Sequence, residues 1–404
     1  MILGIWVHPW DLIDNGIENI LEELEKHGFN YVSLAVRYVE ERQAFPGQSL
    51  IYRNARRKTY LSYRDSIFWF PSSEYYRDIP ENIRPKKPSW LDRDIVKEFR
   101  ERIASYNLKP VYWLPTLRWD KIAGEYPEYC VRDIYGNIAG YKAQFLCPLN
   151  PNVRKLVLNV VEELSCRYEA YEIELDYIRY PEPVTHSPSL FIKLLQTPCF
   201  CDNCRRYYES IGINIEKVKK DIVDIANTLL TSEDITGNTC NINDPECSTN
   251  LLLHSLYELI NRIEVSKWLK ARTEIITGLV EEIRDKTRQY GVKLSADLVP
   301  PSHSWFVGQD YEKLSQILDT IKIMLYTEPF NRSHKLIPYE LSIAISKGVK
   351  EPVAGISIWP PSTPNTIKRD ILLAKSLTKS FYAYSYGWAP IANIKAFIES
   401  SKTG

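Results

Sequence analysis

Eight short apolar runs, rich in β-branched and aromatic residues, recur along this 404-residue chain, each followed by a stretch of helical period. The runs are "ILGIWVHP", "YVSLAVRY", "KPVYWLP", "YEIELDYIRYP", "KLSADLVPP", "TIKIMLYTEP", "PVAGISIWPP" and "SFYAYSYG". Strands separated by helices pair most simply in parallel, because the helix supplies the crossover that a parallel connection needs. Eight such units predict an α/β fold of the (β/α)8 (TIM) barrel type, a single domain over residues 1–404. Connections entering the strands are short, such as "HGFN" before strand 2 and "RYEAYE" before strand 4. Those leaving are long: residues 38–92 follow strand 2, and residues 182–250 after strand 4 form an inserted subdomain with most of the cysteines. That asymmetry predicts a working face at the C-terminal ends of the strands. Leu251 to Tyr290 reads as one extended helix returning to strand 5.

Charge and composition narrow the function classes. Fifty-one Lys and Arg balance fifty-one Asp and Glu, so no net field favours nucleic acid or an anionic membrane as partner. The opening "MILGIWVHPW" lacks a basic segment ahead of its apolar run, and no run approaches the roughly 18 apolar residues of a membrane span. A soluble, cytoplasmic protein is the expectation, with its oligomeric state left open. Few Met and many Ile, Lys and Glu fit a thermophile source. No G-x-G-x-x-G, Walker-type loop or G-x-S-x-G elbow is present, which argues against nucleotide cofactors and serine-hydrolase chemistry.

Strand 4 carries an unusual feature. Glu172, Glu174 and Asp176 alternate with Ile173 and Leu175, so period two points all three acids to one side. If the apolar residues meet the helices, the acids face the barrel axis. Burying them requires partner cations such as Arg179, or a purpose. Other strand ends add candidates: His8 and Trp10 at strand 1, Trp113, Arg118 and Trp119 at strand 3, Asp297 at strand 5, Tyr326 and Glu328 at strand 6, Trp359 at strand 7. Carboxylates interleaved with Trp and Tyr match what glycosidic-bond cleavage requires: an acid for the leaving oxygen, a second carboxylate, and aromatic faces for sugar rings. Carbohydrate is the expected substrate. Asp176 is assigned as nucleophile or electrostatic stabiliser, held ionised by Arg179 or Arg37. Glu328 is the first choice of general acid, since Pro329, Tyr326 and Phe330 would shield it from water, and Asp297 is the reserve. Glu174, Arg179, His8, Arg37, Trp113, Tyr326 and Trp359 are expected to contact substrate.

"EYPEYCVRDIYGN", "FLCPLNPNVRKLVLNVVEELSCRYEAYEIELDYIRYPEP" and "CFCDNC" follow one another across residues 107–204. This D-x-x-G, CP-x-NP and D-Y-I-R-Y-P order resembles the glycosyl-hydrolase-like TIM-barrel family, some of whose members act on cell-wall glycan. The resemblance implies a hydrolase of O-glycosidic bonds and carries Asp176 and Arg179 over as site residues. The family often has a small residue or His where this chain has Glu172 and Glu174. Chitinases of the D-x-D-x-E type offer a second likeness, through Met324 and Tyr326. Their catalytic Glu falls where this chain has Ile178, which argues against substrate-assisted chemistry.

Two alternatives come from the remaining residues. His303 and His334 could join Asp176 around a catalytic metal, making a metal-dependent barrel hydrolase, or the acids could serve a non-catalytic carbohydrate-binding barrel. Catalysis by the paired carboxylates needs no cofactor. Separately, Cys199, Cys201 and Cys204 in "CFCDNC" have a spacing that can hold a structural Zn2+. Cys166, His186, Cys240 and Cys247 are candidates for the fourth ligand, and a disulfide, as could close "CNINDPEC", is the competing outcome.

Overall fold

The structure, a computed structural model, describes residues 1–39, 66–140, 144–183, 189–236 and 245–402. All eight apolar runs form strands: β1 (Leu3–Val7), β2 (Tyr31–Ala35), β3 (Lys109–Pro115), β4 (Glu172–Asp176), β5 (Lys293–Leu298), β6 (Thr320–Met324), β7 (Val353–Ser357) and β8 (Ser380–Tyr384). They pair in parallel and in sequence order, and β8 closes on β1. Each strand is buried on both faces, outward by helices and inward by the filled barrel, so its residues read as nearly continuous apolar runs.

Local chemistry sets the helix boundaries. Asn150 caps helix Pro151–Cys166 by accepting from the N–H groups of Asn152 and Val153, with Pro151 at the first helical position. Asp94 caps helix Ile95–Ile103 in the same way through Lys97 N–H. The single helix expected over Leu251 to Tyr290 is two, Pro245–Asn261 and Ile263–Arg288. Arg262 leaves the helical region at φ −106° and ψ 72° and bridges Glu258 and Asp221, each at 3.5 Å. The residues after β4 add helices Leu190–Leu194, Asp202–Ser210 and Ile215–Thr236 outside the barrel core. Among the described residues no helix is long and apolar enough to cross a membrane.

Two glycines give the interior its shape. A Cβ on Gly4 would lie 2.0 Å from the ring of Tyr382, and one on Gly355 would lie 2.9 Å from the Ile323 carbonyl and 3.3 Å from Trp6. Bare backbone at these positions lets Tyr382 and Trp6 enter the barrel and fill its centre.

Candidate active site

The three alternating acids of β4 meet different fates. Glu174 is fully buried: it pairs with the Lys322 ammonium of β6 and accepts hydrogen bonds from Trp6 Nε1 and, at 2.5 Å, Ser33 Oγ. Glu172, one layer lower, accepts from Ser295 Oγ at 2.5 Å and lies 3.4 Å from Lys322 Nζ. Lys322 also sits over the Tyr382 ring, 4.3 Å from its centroid. Burial opposes the charge on Lys322, but Glu174, Tyr382 and Glu172 more than offset it and raise the ammonium's pKa. Glu174 is therefore an interior structural acid and not a substrate contact. Its partner is Lys322, not Arg179. The sign of Lys322 was readable in "TIKIM", a cation in mid-strand with the same period-two logic as the acids.

Asp176, at the last position of β4, reaches the rim. Trp113 Nε1 donates to its Oδ2 at 3.0 Å and Tyr177 N–H to its Oδ1 at 2.7 Å. Tyr177 adopts φ 50°, a left-handed conformation that costs a non-glycine residue roughly 1–3 kcal/mol and turns the chain so that its N–H meets the carboxylate. Asp297 is on the neighbouring strand. The β4–β5 register aligns Leu175 with Ala296, so the next pair is Asp176 beside Asp297. In contrast to Asp176, Asp297 Oδ1 has no hydrogen-bond partner among the described residues. Burial raises the pKa of Asp176 to about 6, against the pull of Arg179, Trp113 and Tyr177 N–H. Burial pushes Asp297 up much further, and the charges of Glu174 and Asp176 add to it.

Above them opens a bowl of about 250 Å³, lined by Asp176, Asp297, Arg179, Trp113, Tyr326 and Trp359 among others. Tyr326 stands edge-on to Trp359 at 5.1 Å and runs parallel to Phe330 at 6.3 Å. Arg179 lies 5.2 Å from the Tyr177 ring and 4.0 Å from Glu182. Tyr384, 5.7 Å edge-on from Trp113, and Trp388, both from the end of β8, complete the wall together with Met324 and Arg332. Sequence reasoning missed Tyr384 and Trp388, although "YAYSYGW" carries the same strand-end aromatic signal as the others.

Besides Glu174, three expected site residues lie outside the bowl. Glu328 is outside the bowl lining: its carboxylate is 3.1 Å from His334 Nε2 and 3.6 Å from Arg369, and His334 in turn pairs with Asp370. The short 3-10 helix Glu328–Phe330 turns it away from the axis. His8 is fully buried, stacked between Trp10 at 4.6 Å and Trp388 at 5.1 Å, where it backs the bowl without lining it. Arg37 is also fully buried; it donates to the carbonyls of Pro115 and, at 3.0 Å, Arg118, and stacks 3.8 Å over Trp119. It secures the turn after β3 and does not reach substrate space. His334 is committed to Asp370 and Glu328, and His303 bonds Ser302 Oγ at 2.8 Å, so neither joins Asp176 in a ligand set.

The fourth sulfur beside the cysteine run is Cys147, not one of the four candidates named from the sequence. Cys147, in the loop after β3, brings its sulfur to Cys199, Cys201 and Cys204, and the four sulfurs all lie within 4.8 Å of one another. Cys166 is exposed at the end of helix Pro151–Cys166. His186 and Cys240 lie outside the described residues, as does the side chain of Cys247. The clue was topological: the loops after β3 and β4 are neighbours on one rim, and each contains cysteine.

The fold and the site together define a class: a closed (β/α)8 barrel with two buried carboxyls under an aromatic bowl at its C-terminal face. Residues 86–354, more than half of the chain, match the family described as "Putative glycosyl hydrolase domain", and the chain belongs to that family. No curated protein matches it. Among solved structures, it is similar to a β-galactosidase from the psychrophilic Marinomonas ef1, with TM-score 0.57 and 11% identity over 100% of this chain and 59% of that one. It is also similar to an α-L-fucosidase, isoenzyme 2, from Paenibacillus thiaminolyticus, with TM-score 0.52 and 12% identity over 95% of this chain and 45% of that one. The chain therefore spans about half the length of these structures, and the likeness is one of fold.

Proposed function

We propose that the chain is a glycoside hydrolase that cleaves O-glycosidic bonds of an oligo- or polysaccharide with Asp176 and Asp297 as its working carboxyls. The observation that carries this reading is the split environment of two neighbouring acids. Asp176 accepts two N–H donors, which suits a carboxylate; Asp297 is buried beside Glu174 with its Oδ1 lacking a hydrogen-bond partner among the described residues, which suits a carboxylic acid. In the first step the Asp297 proton passes to the leaving glycosidic oxygen as the bond to the anomeric carbon breaks. The Asp176 carboxylate meets the positive charge growing on that carbon, as nucleophile or electrostatic stabiliser. Water then supplies the hydroxyl, and its proton returns to Asp297. Trp359, Tyr326 and Trp113 present ring faces and edges to the sugar, and Arg179 orients its hydroxyls.

Family membership and the barrel shared with a β-galactosidase and an α-L-fucosidase support this reading. The test is turnover on a panel of oligosaccharides and aryl glycosides by the wild type, Asp176→Asn and Asp297→Asn. Hydrolysis lost in both variants, with substrate still bound, is the expected result. Near-wild-type rates in either one remove that residue from the mechanism, and sugar binding without turnover by the wild type would favour a binding barrel.

A further inference from the structure

Four cysteines from two separate loops converge beside the rim of the bowl, with all four sulfurs within 4.8 Å of one another. Cys147 Sγ lies 3.4 Å from Cys201 Sγ, 3.5 Å from Cys204 Sγ and 4.0 Å from Cys199 Sγ. A disulfide needs about 2.05 Å. A tetrahedral zinc with Zn–S bonds of about 2.3 Å sets its sulfurs about 3.8 Å apart, in the middle of the observed range. Cys147, Cys199 and Cys204 are buried and Cys201 is partly so. Cys201 occupies the N-cap position of helix Asp202–Ser210 and Cys204 lies in its first turn, so one short segment delivers both sulfurs.

A second, independent observation lies behind the sulfurs. Arg272 is fully buried and makes no ion pair with a carboxylate among the described residues. Its Nη1 donates to the Phe306 carbonyl at 2.9 Å, and its face covers the rings of Tyr180 at 4.5 Å and Trp268 at 5.2 Å. Its Nε and Nη2, and the hydroxyls of Tyr180 and Tyr208, have no hydrogen-bond partner among the described residues. Of the titratable groups around it, Tyr180, Tyr208, Cys199 and Cys204 are near enough to act on Arg272. A buried guanidinium of this kind requires an anion, and the neighbouring cluster is the candidate.

We propose that Cys147, Cys199, Cys201 and Cys204 bind one Zn2+ as a closed structural site, with Arg272 balancing its charge. Four thiols lose their protons to solvent on binding, and four thiolates with one Zn2+ leave a net charge of −2. Arg272 offsets half of that, and the orphaned hydroxyls of Tyr180 and Tyr208 are placed as outer-shell donors. With all four positions filled by protein, the ion has no site for water or substrate, so its role is mechanical. It ties the loop after β3 to the insertion after β4 and backs Tyr180. Tyr180 closes the turn bearing Arg179 and anchors to the Val307 carbonyl at 2.9 Å.

The experiment is metal analysis of the intact protein purified without chelator, by elemental mass spectrometry and by X-ray absorption at the zinc edge. The expected result is about one zinc per chain with an all-sulfur shell at about 2.3 Å. Cys147→Ser should lose most of that zinc and Cys166→Ser should keep it. Arg272→Met should keep the stoichiometry but yield zinc to a competing chelator on the order of 10–100-fold more readily. The wild-type spectrum decides the matter if Cys147→Ser does not fold. A folded, metal-free wild type, iron in place of zinc, nitrogen or oxygen in the shell, or a disulfide that joins any of Cys147, Cys199, Cys201 and Cys204 in the denatured protein would each overturn the proposal. None of these readouts uses hydrolysis, so they stand or fall apart from the proposed activity.

Discussion

The closed interior of the barrel and its open rim use the same residue type for opposite ends. Glu172 and Glu174 are locked to Lys322, with Ser33, Ser295 and Trp6 satisfying their remaining lone pairs. Two residues further along the same strand, among the described residues, Asp176 has no cation in direct contact, and Asp297 beside it has an oxygen with no donor. The difference lies in where the compensating charge sits. Inside, an ammonium on β6 is shared by the two glutamates and offsets one of their two charges. At the rim the acids keep their desolvation penalty, and the two glutamates below them carry one more negative charge than Lys322 removes. Buried acids that are paired hold structure together, whereas buried acids left unpaired beneath a cavity are held ready for proton transfer.

The largest effect should come from removing the rim's proton. Asp297→Asn is expected to lower turnover by about 10²–10⁴-fold, the usual contribution of general acid catalysis, while leaving the melting temperature near that of the wild type. Steady-state kinetics and a thermal melt check both halves. A variant that melts far below the wild type would place Asp297 with the interior acids.

Next in size is the interior. Lys322→Met leaves two glutamates buried without their cation and should cost about 3–5 kcal/mol of stability. Adding Glu174→Gln should recover part of that loss, which urea denaturation of the single and double variants would show. Should Lys322→Met unfold at the wild-type midpoint, the contrast between interior and rim fails.

Asp176 sharpens the contrast through pH. Its folded pKa of about 6 is above its ordinary 3.8, so its contribution to stability is fully present below pH 4 and lost as pH rises through 6. Across that window the wild type should lose stability, on the order of 2–3 kcal/mol, relative to Asp176→Asn, which does not titrate. Hydrolysis by the wild type should rise over the same window as the carboxylate forms. Equal stability of the two proteins at pH 4 and a more stable variant at pH 7 is the expected pattern. A variant less stable at pH 7 would make Asp176 a structural acid like Glu174.

The barrel was legible because its information is local: eight short apolar runs, each followed by a helix, became eight strands in order. Asp176 was legible for the same reason, since strand position and alternation fix where a side chain points. Partnerships were not. The pairing of Glu174 with Lys322 joins residues 148 positions apart, and Cys147 meets Cys204 across 57. Such contacts depend on which loops and strands become neighbours. Glu328 misled for a different reason: the strand ends at Met324, and beyond it alternation no longer says which way a side chain faces.

That last point sets the smallest expected effect. Glu328→Gln should leave turnover within about twofold, because surface and near-surface changes away from reacting groups shift energies by only a few tenths of a kcal/mol. The substitution removes one acid from the group made by His334, Asp370 and Arg369, which keeps its other pairings. Kinetics of Glu328→Gln beside Asp297→Asn therefore compare two acids that sequence alone ranked in the reverse order. A loss in Glu328→Gln as deep as in Asp297→Asn would mean that the 3-10 turn at residues 328–330 swings inward when substrate binds, and the general acid would have to be reassigned.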